Sequence, residues 1–407
     1  MKTKISNIGS IVTWSKSFNK VVSQKELELL IIDDRIVDIS SNIEVEVDVE
    51  ISAENSIITP GFIDSHTHPI FFGNRSKEYA ERLGGKDYNL ISKEGGGILS
   101  TVKSLREVDY ETLYEVSEQR INNFLKFGTT TIEAKSGYGL DLENEIKMLN
   151  VIKDLNKSSE LEILPTFLGA HSIPLEYKKN PEDYVNILCD EMLPEIAQKN
   201  LAIFCDVFCE DGYFSYDMSK KILNRAKDLG LKTRLHADEF VDSGGSKLAA
   251  ESSSLSADHL MKASDSGLRE MADKGVVATL LPGTTFFLGK KEFADYKNIK
   301  SHGIDVAMAT DYNPGTCTIQ SLPFIMNLGM INYKMDINEA FISITANAAK
   351  SLGMEKDLGV IEKGFQADLL FWDIESLEEV PYWISENKII GIMKKGKVIK
   401  NLSLVKD

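Results

Sequence analysis

The sequence predicts an α/β fold: a (β/α)8 barrel of the TIM type, joined to a small β-sandwich domain built from both chain ends. Three observations carry this. The middle of the chain alternates apolar, strand-like runs with amphipathic helical stretches, the pattern of repeated βα units and a parallel sheet. Both ends read instead as short strands separated by turns. Five of the 6 histidines stand at or just past the carboxyl end of an expected strand, which is where such a barrel places its active site.

The ends come first. Ile8–Trp14 reads as a strand, and Glu28–Ile32 and Arg35–Ile39 flank a turn at Asp33-Asp34. Near the other terminus, Asp368–Trp372 and Ile389–Met393 have the same character, and Lys395-Gly396-Lys397 is a turn before Val398-Ile399. Two all-β ends are expected to pack together as one domain of residues 1–57 and 358–407, leaving 58–357 to the barrel.

Barrel strands are expected at Ile57–Asp64, Thr129–Lys135, Glu162–Ala170, Ala202–Cys209, Lys232–Ala237, Ser256–Leu260, Val276–Leu281 and Asp305–Thr310. Between them, Tyr110–Phe127 gathers Leu113, Val116, Ile121, Phe124 and Leu125 largely on one helical face, and Glu143–Leu155 and Tyr216–Leu229 do likewise. Gly128 and Gly230 stand where a helix C-terminal cap belongs. Eight such units suit a barrel of roughly 250 residues or somewhat more. A doubly wound open sheet would require a glycine-rich phosphate loop after its first strand. Gly95-Gly96-Gly97 is not placed as one and reads as a flexible loop, with a substrate-covering loop as the other reading.

The 407 residues are 43% hydrophobic and 27% charged, an ordinary globular composition able to bury a sizeable core. A net charge of -16 argues against a nucleic-acid partner, since phosphate binding needs clustered Lys and Arg. A small anionic substrate needs only one or two local cations. No apolar run approaches the roughly 20 residues of a membrane span, so no membrane partner is expected. The start Met1–Ser6 does not read as a secretory leader. The 4 cysteines make no close pair, and a reducing cytoplasm is the expectation. Cys205 and Cys209 share the apolar run Ala202–Cys209 and read as buried strand residues rather than half a metal site.

The chemistry begins at Pro60-Gly61-Phe62-Ile63-Asp64-Ser65-His66-Thr67-His68. Residues two apart on a strand point to the same side, so His66 and His68 can share one ion through imidazole nitrogen. His236, in Leu235-His236-Ala237-Asp238-Glu239, is the natural third ligand, and Asp311, in Ala309-Thr310-Asp311-Tyr312-Asn313, the fourth. Three imidazoles and one carboxylate suit Zn²⁺ or Fe²⁺ rather than Mg²⁺ or Ca²⁺, which prefer oxygen cages. Such an ion would lower the pKa of a bound water from 15.7 towards about 7, giving hydroxide at neutral pH. Catalysis then needs a proton carrier. Glu239, three residues past His236, is the candidate, and His259 is a second base or a hydrogen-bond donor to a carbonyl.

With these residues in that order the chain resembles the amidohydrolase superfamily, and within it the imidazolonepropionases. The specific motifs are Phe72-Gly73-Asn74-Arg75, Gly95-Gly96-Gly97-Ile98, Lys135-Ser136-Gly137-Tyr138-Gly139-Leu140-Asp141 and Gly169-Ala170-His171. His236-Ala237-Asp238-Glu239, Ser256-Ala257-Asp258-His259 and Thr310-Asp311-Tyr312-Asn313-Pro314-Gly315-Thr316 complete the set. The resemblance runs from about Pro60 to Gly315 and extends to the split β domain. It implies a cyclic amide C–N hydrolase that opens 4-imidazolone-5-propanoate to N-formimidoyl-L-glutamate. It also implies one Zn or Fe ion per chain on His66, His68, His236 and Asp311. Arg75 would pair with the substrate's propionate, Tyr138 and His171 would line the pocket, and Asn313, Gly315 and Thr316 would contact substrate or product. Glu239 would be the acid/base, and His259 would orient the water or the ring carbonyl. A homodimer is implied as well.

Lys135 ends a strand, and some superfamily relatives carry a carboxylated lysine between two metals. Here the lysine belongs to the second expected strand and reads as structural or electrostatic. Two other readings compete with the ring-opening hydrolase: a sister cyclic amidohydrolase or nucleobase deaminase, and a scaffold that kept the barrel and lost the chemistry. The intact His66, His68, His236 and Asp311 set speaks against the scaffold.

Overall fold

The computed structural model describes residues 1–86 and 96–400. Gly95, the first of the three consecutive glycines, lies outside the described residues. The chain opens with six strands: β1 (Lys2–Ser6), β2 (Ser10–Ser15), β3 (Lys20–Gln24), β4 (Glu28–Ile32), β5 (Arg35–Ser40) and β6 (Val49–Ser52). β7 (Ile57–Pro60) follows, and then the barrel: β8 (Phe62–Thr67), β9 (Thr129–Lys135), β10 (Glu162–Ala170), β11 (Phe204–Cys209), β12 (Lys232–Ala237), β13 (Ser256–His259), β14 (Val277–Leu280) and β15 (Val306–Met308). The chain returns to the first region with β16 (Leu369–Trp372), β17 (Ile389–Lys394) and β18 (Lys397–Lys400).

β8 to β15 form one 8-stranded sheet in sequential order, and neighbours pair in parallel throughout. The ring is closed by single contacts rather than a ladder. His68 donates its backbone N–H to Tyr312 O at 2.8 Å, and Asp311 donates to His66 O at 3.0 Å. Asp64 Oδ1 accepts the Thr310 N–H at 3.0 Å. This seam brings the end of the last strand against the end of the first, so Asp311 reaches the His66–His68 pair.

Helices with local start signals fill the crossovers. Asp109 caps Tyr110–Lys126 by accepting from Thr112 N–H, and Leu113, Ile121 and Phe124 face the core. Gly128 then turns the chain into β9 with φ 84°, and a Cβ there would stand 2.8 Å from Leu370 Cδ1. Asp141 and Ser215 cap Leu142–Ser158 and Tyr216–Asp228 in the same way.

The remaining strands make a sandwich. A 4-stranded sheet, β5-β4-β1-β6, uses only the first part of the chain. A 6-stranded sheet, β18-β17-β16-β7-β2-β3, joins both ends. Ile5, Leu29 and Ile31 from the first meet Ile58, Leu369 and Phe371 from the second in a shared core. One expectation is corrected here. Ile57–Asp64 is not one strand. β7 pairs with β2 and β16 in the sandwich, while β8 starts the barrel. Gly61 separates them: its N–H donates to Asp368 O at 2.8 Å. A Cβ there would lie 2.2 Å from Thr130 Oγ1, so only glycine lets the backbone pass that close.

Cys189, Cys205, Cys209 and Cys317 are all buried free thiols. Cys205 and Cys209 lie in β11, as their apolar surroundings indicate.

Candidate metal centre

The strand ends bring His66, His68, His236 and Asp311 to one point. His66 Nε2 lies 3.3 Å from His68 Nε2, which lies 3.4 Å from His236 Nε2. Asp311 Oδ1 stands 3.6 Å from His66 Nε2 and 3.5 Å from His68 Nε2. All four residues are buried. Asp311 takes a left-handed φ of 51°, an uncommon conformation for a residue with a Cβ, and Thr284 Oγ1 donates to its Oδ2 at 2.5 Å.

The outer nitrogens of His66 and His236 are committed, whereas His68 Nδ1 is buried with no hydrogen-bond partner among the described residues. His66 Nδ1 lies 2.7 Å from Asp258 Oδ2, and His236 Nδ1 lies 3.0 Å from Asp206 Oδ1. An ionised carboxylate only accepts, so each ring carries its proton on Nδ1 and turns a bare Nε2 inward. Burial first, and then neighbouring positive charge, holds His66 well below the ordinary imidazole range. Burial and the nearby His171 do the same for His68. At His236 burial is the largest influence, but the carboxylates of Asp206 and Asp258 together oppose it and the net direction is upward.

Behind the carboxylates stands a layer of cations. Lys135 Nζ donates to Asp206 Oδ2 and to Glu133 Oε1, both at 2.7 Å, and all three side chains have 0% exposure. Arg234 donates to Asp258 Oδ2 at 3.1 Å and to the backbone oxygens of Ser65 and Ser351. Lys135 is therefore an ion-pair partner of the layer that orients His236. The sequence motifs assign no role to Asp206, Asp258, Glu133 or Arg234. A detectable pattern was present: each is a charged residue inside an expected buried strand, a position a charge occupies only when paired.

The other expected site residues surround this point. Glu239 Oε2 lies 3.7 Å from His259 Nε2. Burial first, with the Asp311 carboxylate adding to it, pushes Glu239 up to about 7. His259 ends β13 with φ 77°, and its ring centre is 5.3 Å from that of His236. His171 donates from Nδ1 to Gly137 O at 3.0 Å and stacks on His68 with ring centres 5.1 Å apart. Tyr138 packs 5.3 Å from His171, in a loop held by the buried Glu145, which accepts N–H groups from Gly137, Gly139 and Leu140. Arg75 faces the same cavity and donates from Nε to Glu78 Oε2 at 2.9 Å. Asn313 and Thr316 line the cavity too, and Asn313 Oδ1 accepts from Gly315 N and Thr316 N. Gly315 packs on the Arg75 guanidinium, where a Cβ would stand 2.1 Å from Nη1. His302, the sixth histidine, donates to Asn298 O at the end of the helix Tyr296–Ser301, apart from this set.

These residues fit a metal ion. Donors about 2.0–2.1 Å from one centre in a tetrahedron stand about 3.3–3.4 Å apart, and the distances His66–His68, His68–His236, His66–Asp311 and His68–Asp311 fall at or just above that value. Bare lone pairs gathered this closely repel one another unless a cation lies between them.

Eight parallel strands with three imidazoles and a carboxylate converging at their carboxyl ends define the metal-dependent amidohydrolase class of barrels. Residues 57–399 match the amidohydrolase family. The chain is 42% identical over 411 residues to the imidazolonepropionase of Alkaliphilus oremlandii, covering 97% of each protein. It is 46% identical over 349 residues to that of Shouchella clausii, covering 86% of this chain and 78% of the relative. Among solved structures, a 5-methylcytosine deaminase from Klebsiella pneumoniae superposes with a TM-score of 0.76 at 16% identity over 98% of each chain. A zinc-bound adenosine deaminase from Xanthomonas campestris does so with a TM-score of 0.73 at 14% identity, over 98% of this chain and 92% of its own. These two likenesses show the fold alone. The chain belongs to the amidohydrolase family and, within it, to the imidazolonepropionases.

Proposed function

We propose that this protein hydrolyses the ring amide of 4-imidazolone-5-propanoate to give N-formimidoyl-L-glutamate. The observation that carries the reading is the pair of buried metal-capable groups that share His66, one with His68 and Asp311 and the other with His236 and His259, with Arg75 on the wall of the adjoining cavity. The near full-length likeness to imidazolonepropionases supports it. One Zn or Fe ion per chain would be held by His66, His68, His236 and Asp311. When bound, such an ion supplies Lewis acidity, acidifying water and polarising a carbonyl.

The chain's own residues do the rest. Arg75 binds the propionate through its guanidinium, a bidentate partner for a carboxylate. Tyr138 and His171 form the wall beside the ring, and Asn313, Gly315 and Thr316 form the turn that meets substrate or product. Glu239 accepts a proton from the attacking water as the water oxygen bonds to the ring carbonyl carbon. It then delivers that proton to the ring nitrogen as the C–N bond breaks, leaving a carboxylate and a formimidoyl amine. His259 orients the water or the ring carbonyl.

The reading extends to the whole molecule: a cytoplasmic homodimer, each chain dividing into a barrel and a smaller domain of both chain ends, with the first boundary moved from residue 57 to Gly61 because β7 pairs in the sandwich. No helix among the described residues is long and apolar enough to cross a membrane.

The test is turnover of 4-imidazolone-5-propanoate by purified protein, followed by its ultraviolet absorbance, with metal analysis of the same sample. Turnover with about one metal per chain, lost in His236→Ala, is the expected result. Bound metal without turnover would move the substrate to another cyclic amide or amidine.

A further inference from the structure

Glu239 stands on the loop after β12, and that loop runs without regular structure to the helix Gly245–Glu251. A buried carboxylate holds it. Glu210, just past the end of β11, is only 1% exposed. Its Oε2 accepts the backbone N–H of Glu239 at 2.7 Å and of Phe240 at 2.9 Å. Its Oε1 accepts the Val241 N–H at 3.2 Å and the Ser243 hydroxyl at 2.8 Å. The Asp211 N–H completes the set at 3.1 Å. Three consecutive backbone donors of one loop thus converge on a single side chain from the neighbouring strand.

A buried carboxylate is strongly disfavoured without such donors, and the donors are disfavoured without the carboxylate. The loop therefore cannot drift without breaking several charge-assisted hydrogen bonds together. The partners of Glu210 among the described residues are loop backbone and Ser243, not the four residues of the metal cluster.

We propose that Glu210 is a positioning residue that sets the Glu239 carboxylate against the reacting atoms. This rests on Glu239 being the proton carrier. The geometry explains the choice of residue at position 210. Glutamine there would turn an NH₂ group towards at least two N–H or O–H donors, whichever way its amide lay.

The test is a double-mutant cycle on the metal-loaded enzyme, with wild type, Glu210→Gln, Glu239→Gln and the double variant assayed on 4-imidazolone-5-propanoate. Glu210→Gln is expected to lower kcat about 10- to 100-fold, the scale of a misplaced catalytic group, with KM and bound metal unchanged. In the Glu239→Gln background the same change is expected to have no further effect, because the group it positions is already gone. Backbone amide exchange at Glu239, Phe240 and Val241 should quicken in Glu210→Gln while β12 and β13 keep their protection.

An unchanged kcat, or an equal loss in the Glu239→Gln background, would overturn the proposal. Full turnover by Glu239→Gln alone would remove the proton-carrier reading and the proposal with it, and that single variant reports it separately. If Glu210→Gln does not fold, Ser243→Ala removes one donor to Glu210, while the Asp211 N–H that Ser243 Oγ also accepts keeps Glu210 Oε1 as its partner. It is expected to give a smaller kcat loss that again vanishes in the Glu239→Gln background, and a loss that persists there counts against the inference.

Discussion

Asp258 Oδ2 lies 2.7 Å from His66 Nδ1, and both side chains are completely buried. The same oxygen receives Arg234 at 3.1 Å, so one atom serves both an imidazole and a guanidinium. The carboxylate sets the proton on Nδ1 and aims Nε2 at the ion site. Asp258→Asn should keep the shape and lose the charge. Metal affinity is expected to fall about 10- to 100-fold, as when such an outer partner is removed, read by competition with a chelator. Retention of wild-type affinity would show that His66 needs no help in holding its orientation.

Lys135 compensates two buried carboxylates, Glu133 and Asp206. Lys135→Met fills similar space and removes the cation between the two acids, leaving Asp206 its contact with His236 and Glu133 its bonds to Thr67 and Thr166. Removing one partner of a buried ion pair costs about 3–5 kcal/mol, and that loss is expected in denaturant unfolding of the metal-free protein. A change within error would mean that water reaches this layer.

The pH dependence follows from Glu239, which burial and Asp311 push up to about 7. A proton acceptor works only when ionised, so kcat/KM should rise with pH through its pKa. A bound cation favours the carboxylate form and draws that value down. The acid limb of the profile is therefore expected at or below about 7, and absent in Glu239→Gln. An identical limb in the variant would assign it to another group.

Arg75 lines the cavity and is held by Glu78 through Nε, with its outer guanidinium nitrogens beside Gly315. Arg75→Lys keeps the charge and loses the paired donors. KM for the propionate-bearing substrate is expected to rise about tenfold, the equivalent of about 1.4 kcal/mol, with a smaller change in kcat. An unchanged KM would place the propionate elsewhere in the cavity.

Much of this protein was legible along the chain because its causes are local. The two-residue period that puts His66 and His68 on one side of a strand is read directly, as is the alternation of apolar strands with helices such as Tyr110–Lys126. Gly128 and Gly230 mark the ends of the helices before them. The clustering of histidines at strand ends then locates the site, because a barrel brings all such ends to one face.

Only the tertiary structure decided the rest. His66 meets Asp258 across 192 positions, Lys135 meets Asp206 across 71, and His236 meets Asp206 across 30. The division of Ile57–Asp64 at Gly61 depends on Thr130 and Asp368, far along the chain. The grip of Glu210 on the Glu239 loop spans 29 to 33 positions. Strand and helix periods are set by backbone geometry a few residues at a time. The partner that neutralises a buried charge is set by which strand lies alongside, and that is known only once the barrel closes.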